Sequence, residues 1–148
     1  MAENVSETAQ PNPRVDEGLR IGPIVRDVII VWVLTSMGGF VVGFAMPAPH
    51  RDAQQYALAL AVSNILFVTA GFTIAGCLAP PKKWRHLAFV ALGTWLTSII
   101  NIVFFDTSIP QWIAGAIFLA VVMGLGGAIS TVLMKMIKLT VANTVRGR

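Results

Sequence analysis

The sequence predicts an all-α, polytopic membrane protein whose four transmembrane helices form an antiparallel bundle, with both termini on the cytoplasmic side. The composition is too apolar for a soluble domain, with 55% hydrophobic and 12% charged residues, whereas soluble domains average about 25% charged. Four long segments contain no Asp, Glu, Lys or Arg. Short connections between these segments favour consecutive helices that lie side by side in opposite directions.

Each charge-free segment is close to the roughly 17–25 residues that cross about 30 Å of hydrocarbon. The predicted spans are residues 28–46, 57–79, 87–105 and 111–134. Pro23 suits the first turn of the first helix, and Pro110 precedes the fourth. A cleaved signal peptide is the alternative for the first span. The apolar run of a signal peptide measures about 7–15 residues, and the apolar run of the first span is longer. The sequence therefore favours four retained spans.

Basic residues set the predicted orientation. Every lysine and arginine except Arg51 lies before or near the start of the first span, within the loop at 80–86, or after the fourth span. Lys and Arg collect on the cytoplasmic side of membrane proteins, so both termini are predicted to be cytoplasmic. Residues 1–22 are a predicted polar tail, disordered or surface-lying. Residues 23–138 form the transmembrane domain, and 139–148 a short basic cytoplasmic tail.

Small residues recur four apart in three of the spans, where they predict close helix–helix packing. They are Thr35, Gly39 and Gly43 in the first span, Gly71 and Ala75 in the second, and Ala116, Ala120, Gly124 and Ala128 in the fourth. One interpretation is that these ridges pack the four helices of a single chain. The other is that one ridge contacts a second copy or a partner subunit.

Polar side chains inside the spans are also ordered. Asn64 shares a face of the second helix with its small residues. The third helix carries a polar stripe formed by Thr94, Thr97, Ser98 and Asn101. An asparagine that faces hydrocarbon leaves its amide unsatisfied, so both asparagines are predicted to face protein. They are expected to face each other or to face one common neighbouring helix. The stripe predicts either interhelical hydrogen bonds or the lining of a pore.

The sequence predicts no catalytic, cofactor or metal site. Asp27 and Asp106 are assigned to opposite sides of the membrane, as are His50 and His86, so no titratable pair or metal ligand set converges. An ionisable residue inside a span is the usual mark of a proton pathway, and no predicted span carries one. Cys77 is interpreted as a small structural residue. The basic residues form no stripe for nucleic acid, which is not an expected partner.

The segment at 71–93, GFTIAGCLAPPKKWRHLAFVALG, resembles a hairpin that recurs in small four-span bacterial membrane proteins of unknown function. The shared features are a small-residue helix, an Ala-Pro element, a basic loop and a histidine before the next helix. This resemblance covers about one sixth of the chain. It implies a setting in the plasma (bacterial inner) membrane, and it assigns no activity and no functional residue.

The predicted function is therefore that of a non-enzymatic integral membrane subunit or accessory protein that acts through helix–helix contacts. Its expected partners are the lipid bilayer and either a second copy in a homo-oligomer or another membrane protein. The alternative is an oligomeric passive pore or small-solute carrier, lined by the polar stripe of the third helix.

Overall fold

A computed structural model describes residues 21–46, 52–104 and 107–146, and every regular element in these ranges is a helix. The elements are α1 (Ile21–Ala45), α2 (Ala53–Leu78), α3 (Lys83–Thr97), α4 (Ile100–Phe104) and α5 (Ile109–Arg146). Four helical units are long and apolar enough to cross a membrane, namely α1, α2, α3 together with α4, and α5. This architecture fits a multi-pass membrane protein.

Several sequence predictions concern residues outside the described ranges. They are the tail up to residue 20, His50, Arg51, Asp106 and the last two residues.

Helix ends have local causes in the sequence. Pro23 lies in the first turn of α1, where its missing N–H breaks no intrahelical bond. The side chain of Asp52 caps α2 by accepting a hydrogen bond from the backbone N–H of Gln54 at 2.9 Å. Two residues after the end of α2, Pro80 prevents the helix from continuing. These signals fix where the first two helices begin and end.

The third apolar segment is broken between α3 and α4. Near the break, the hydroxyls of Thr94, Thr97 and Ser98 donate to carbonyls three or four residues earlier in their own helix. Such bonds compete with the helical ladder and bend helices. The backbone N–H of Ile99 bonds the carbonyl of Leu96 in a tightened turn. The predicted third span at 87–105 therefore falls across two helices.

The helices form a ring of contacts in which α1 packs against α2, α2 against α5, α5 against α3, and α3 against α1. By contrast, α2 and α3 touch only marginally. Our expectation that all consecutive helices are neighbours is therefore wrong for α2 and α3. A short loop limits how far apart two helix ends can lie, but the packing faces decide which helices touch.

Close packing at glycines holds the ring together. A Cβ on Gly71 would lie 3.1 Å from the Cα of Val31, and one on Gly126 would lie 2.9 Å from the carbonyl oxygen of Thr69. Gly38 accepts a hydrogen bond at its carbonyl from the buried Ser63 hydroxyl. The apolar interior consists of Val31, Val68, Phe72, Ala75, Leu87, Val90 and Val122. Helix association in lipid depends on such close approach.

The last helix, α5, is much longer than the other elements. It has 38 residues, or about 57 Å at 1.5 Å per residue, against about 30 Å of hydrocarbon. All residues at 131–144 are exposed. The part of α5 that packs on the other helices therefore ends near Thr131.

Replacing Gly126 with leucine is expected to lower the free energy of unfolding by roughly 1–3 kcal/mol, because the side chain would collide with the α2 backbone. Gly124 is the matched control, since no atom of another described helix lies within 4 Å of the position of its Cβ. Unfolding in mixed micelles by titration with a denaturing detergent measures both variants. Equal losses for Gly126→Leu and Gly124→Leu would contradict this packing.

Candidate functional site

Three ionisable side chains meet between α1 and α3, in what we term the ionic cluster: Arg26, Asp27 and His86. Arg26 Nε donates to Asp27 Oδ1 at 2.7 Å, and His86 Nε2 donates to Asp27 Oδ2, also at 2.7 Å. The side chain of Asp27 is wholly buried, that of His86 is 5% exposed and that of Arg26 is 49% exposed. One carboxylate therefore joins a half-exposed guanidinium to a buried imidazole on another helix.

The periodicity of the two helices places this pair at their contact. On α1, Asp27 and Val31 are four residues apart, so they share the face that packs inward. On α3, His86 and Val90 have the same spacing and are also buried. A buried carboxylate without partners is strongly unfavourable, and here both of its oxygens accept hydrogen bonds.

The sequence pattern does not predict this cluster, because Asp27 and His86 each lie one residue before a predicted span. The predicted first span starts at residue 28, whereas α1 begins at Ile21 and includes Asp27. Likewise α3 begins at Lys83 and includes His86, while the third predicted span starts at residue 87. The spacing of Asp27 from Val31 was the local signal for burial. The partner lies 59 residues along the chain, where local periodicity gives no information.

A second polar contact fastens the start of α3 to α5. Lys83 Nζ donates to the carbonyl oxygen of Gly127 and to Thr131 Oγ1, both at 2.9 Å. The wholly buried Ser130 hydroxyl also donates to the Gly127 carbonyl. Gly127 carries no side chain, and a Cβ there would lie 2.6 Å from the ring of Trp84. The absence of a side chain at Gly127 is therefore what lets the first turn of α3 approach α5.

The geometry of the ionic cluster limits its chemistry. Within the described ranges no group of three His, Cys, Asp or Glu side chains is placed to hold a metal ion. No described Ser, Thr or Cys side chain hydrogen-bonds His86, so the ionic cluster as described holds no nucleophile next to its imidazole. What the cluster does is fix α1 to α3 and hold the guanidinium of Arg26 in one orientation.

Two of the predicted packing residues lie at helix contacts within the chain. Gly71 packs on Val31 of α1, and Ala75 is wholly buried in the interior. Thr35 is half-buried and donates to the carbonyl of its own helix at Val31. The second predicted ridge therefore takes part in the ring.

The ridges on α1 and α5 face outward. No atom of another described helix lies within 4 Å of the Cβ position at Gly39, Gly43 or Gly124. In α5, Ala120 and Ala128 are exposed and Ala116 is half-buried. On α1 and α5, the glycines that pack against other helices are instead Gly38, Gly126 and Gly127. The interpretation that the ridges pack within one chain therefore does not apply to Gly39, Gly43 and Gly124. Their contact with a second copy or a partner stays a prediction.

The polar stripe is used within the protein. Besides bonding carbonyls of their own helix, two of its hydroxyls accept hydrogen bonds from tryptophans of neighbouring helices. Trp32 Nε1 donates to Thr97 Oγ1 at 2.8 Å, and Trp112 Nε1 donates to Ser98 Oγ at 3.1 Å. Thr94 is buried and bonds only the carbonyl of Val90. These contacts correspond to the interhelical interpretation of the stripe.

No hydrogen bond joins the side chains of the two asparagines. Asn64 lies on α2 and Asn101 on α4, both are half-buried, and neither amide hydrogen-bonds another described side chain. Between α3 and α5, Trp95 and Trp112 stack with ring centroids 4.2 Å apart, and the indole N–H of each donates to the carbonyl of the other. This tryptophan pair is the aromatic contact that joins α3 to α5.

Comparison of the chain with protein-family models, curated proteins and solved structures gives no match in any of the three. The fold, with four described helical units long and apolar enough to span a membrane, fits a multi-pass membrane protein.

Replacing His86 with leucine is expected to lower the free energy of unfolding by about 1–3 kcal/mol, because one buried oxygen of Asp27 loses its hydrogen bond. Replacing both Asp27 and His86 with leucine is expected to cost less than the sum of the two single changes, since no buried charge is left unpaired. Arg85→Leu, at an exposed neighbouring position, is the control. Strictly additive losses in detergent unfolding would show that Asp27 and His86 do not interact.

Proposed function

We propose that the chain is a non-enzymatic integral membrane subunit that acts through helix–helix contacts with a second copy or with another membrane protein. The observation that carries this proposal is the set of outward small residues, Gly39, Gly43 and Gly124, beside which another helix has room to approach closely. Phe40 and Phe44 flank the α1 glycines and are 68% and 85% exposed. Large exposed aromatics beside glycines favour knob-and-groove packing with another helix.

The large outward surface of the helices supports the same proposal. In the most apolar stretch of each spanning unit only 17–28% of the residues are buried. Lipid covers apolar side chains without any specific partner, whereas a row of glycines gains most from a neighbouring helix. The glycines therefore distinguish a docking face from an ordinary lipid-facing surface.

Opposite directions for α1 and α2 are part of the proposal. Val31 lies against Gly71, while Gly38, further along α1, lies against Ser63, which is earlier in α2. The residue numbers thus rise along one helix as they fall along the other. This supports an antiparallel first hairpin.

The second hairpin and the orientation complete the proposed arrangement. Lys83 contacts Thr131 and Trp95 contacts Trp112, which supports opposite directions for α3 and α5. Every lysine and arginine except Arg51 then belongs to one side, in favour of cytoplasmic termini. The plasma (bacterial inner) membrane is the proposed location.

A pore has less support than a subunit. The hydroxyls of the polar stripe bond carbonyls of their own helix or accept from tryptophans, which leaves little of their capacity for a permeating solute. Phe72, Leu87, Val31 and Val90 are wholly buried in the interior of the ring. An apolar interior favours a packed protein over a hydrated path.

Replacing Gly39 with leucine is expected to abolish recovery of the partner, whether a second copy or another membrane protein, because the leucine occupies the space that the partner helix requires. Monomer stability should be unchanged, since no atom of another described helix lies within 4 Å of the Cβ position of Gly39. Crosslinking in native membranes, followed by purification in mild detergent, measures this. Val41→Leu, on the opposite face of α1, is the control. A wild-type chain that is monomeric and has no stoichiometric partner would contradict the proposal.

The proposed orientation predicts how cysteines label. In a Cys77→Ser background, Ser108→Cys should react with an impermeant maleimide in intact cells, because it lies between the last two spans on the outer side. Arg148→Cys should react only after the membrane is opened. The reverse pattern would place both termini outside.

A further inference from the structure

The guanidinium of Arg26 is only partly used within the chain. Its Nε donates to Asp27, but neither Nη group hydrogen-bonds a described residue, and the side chain is 49% exposed. A guanidinium presents its N–H donors in a planar fork that matches two oxygens of a phosphate. The Nη edge of Arg26 is thus free to bind an anion from outside the chain.

The ionic cluster holds this fork in place. Asp27 cannot turn away from Arg26 without losing the bond from His86 on α3, and the carboxylate is wholly buried. Both carboxylate oxygens face protein donors, so the edge that faces outward is the cationic one. Asp27 and His86 are therefore positioning residues for Arg26.

Further cations surround this end of the ring. Lys82, Lys83 and Arg85 stand at the start of α3, whereas Asp27 is the one carboxylate in α1 and α3. α2 contains no Asp, Glu, Lys, Arg or His, and the first charged residue of α5 is Lys135, beyond the contact of Lys83 with Thr131. The local excess of positive charge favours a ligand with net negative charge over a zwitterion.

An apolar groove begins one helical turn from Arg26. Ile29 and Val33 follow Arg26 at positions three and seven along α1, so all three share one face. Ile29 and Val33 line a groove of about 600 Å³ with Trp32 on α1 and Ile100 on α4. Ile29, Val33 and Ile100 are exposed along it. The guanidinium of Arg26 thus lies near one end of an apolar groove that is open to the outside along its length.

We propose that this surface binds one anionic phospholipid, with its phosphate on the Nη groups of Arg26 and one acyl chain in the groove. The charge of the cluster matches the head group, and the groove matches the chain. Placement of the lipid in the cytoplasmic leaflet follows from the proposed orientation, whereas binding itself does not depend on orientation or on any partner protein.

Native mass spectrometry of the full chain in detergent tests the proposal, with dioleoyl phosphatidylglycerol and dioleoyl phosphatidylcholine as probes. The wild type should retain one phosphatidylglycerol at concentrations where phosphatidylcholine is lost. Arg26→Gln should weaken retention about tenfold or more. Arg85→Gln, at an exposed arginine of the same end, should change it less than about twofold. Equal losses for both variants, or no lipid preference in the wild type, would overturn the proposal.

Three further variants separate the site from general attraction and from misfolding. Arg26→Lys keeps the charge without the planar fork and should also weaken retention. Val33→Trp fills the groove without changing any charge and should do the same. His86→Gln should reduce the preference for phosphatidylglycerol over phosphatidylcholine while phosphatidylcholine retention is unchanged, which a loss of fold would not produce. If Arg26→Gln fails to fold, Arg26→Lys and Val33→Trp decide the outcome. Full displacement of the lipid by millimolar inorganic phosphate would instead assign the site to a soluble anion.

Discussion

Asp27 is wholly buried between two helices, where neither water nor lipid can solvate a carboxylate. Its oxygens have to find donors within the protein, and they find Arg26 beside them and His86 on α3. This requirement fixes the depth and the rotation of α1 relative to α3, because a shift by one residue would leave the carboxylate without its imidazole. The remaining contacts are built on that register, including Val28 of α1 against Gly93 of α3.

Hydrogen bonds and close apolar packing stabilise different parts of the ring. Polar contacts act near the two ends of the α3–α5 pair, where Lys83 bonds the Gly127 carbonyl and Trp95 bonds the carbonyl of Trp112. Between these ends α3 and α5 meet through apolar and small residues such as Leu87 against Gly127. Close packing tolerates sliding and rotation better than hydrogen bonds do, so the polar ends define the alignment and the apolar middle supplies the contact area.

The four apolar spans were predictable because the thickness of hydrocarbon imposes a length that a charge-free run either meets or fails to meet. The packing faces were less predictable. A step of one residue along a helix rotates the side chain by about 100° around the axis. The predicted ridges contain Gly39 and Gly124, which lie on outward faces, whereas Gly38 and Gly126 make the contacts with other helices. The sequence pattern places Asp27 just outside the first span, because a charged residue usually ends an apolar segment. Its burial depends on His86, a partner that only the folded chain brings near.

The length of α5 has a mechanical consequence. Beyond Thr131 the helix continues for roughly 20 Å, and all residues from 132 to 144 are exposed. An unbroken helix is stiff, so a load applied to that arm is carried as torque to its last fixed point. That point is Thr131, whose hydroxyl accepts a hydrogen bond from Lys83. Lys83 lies one turn before His86, so part of any tension on the free arm of α5 reaches the ionic cluster through the ammonium group of Lys83.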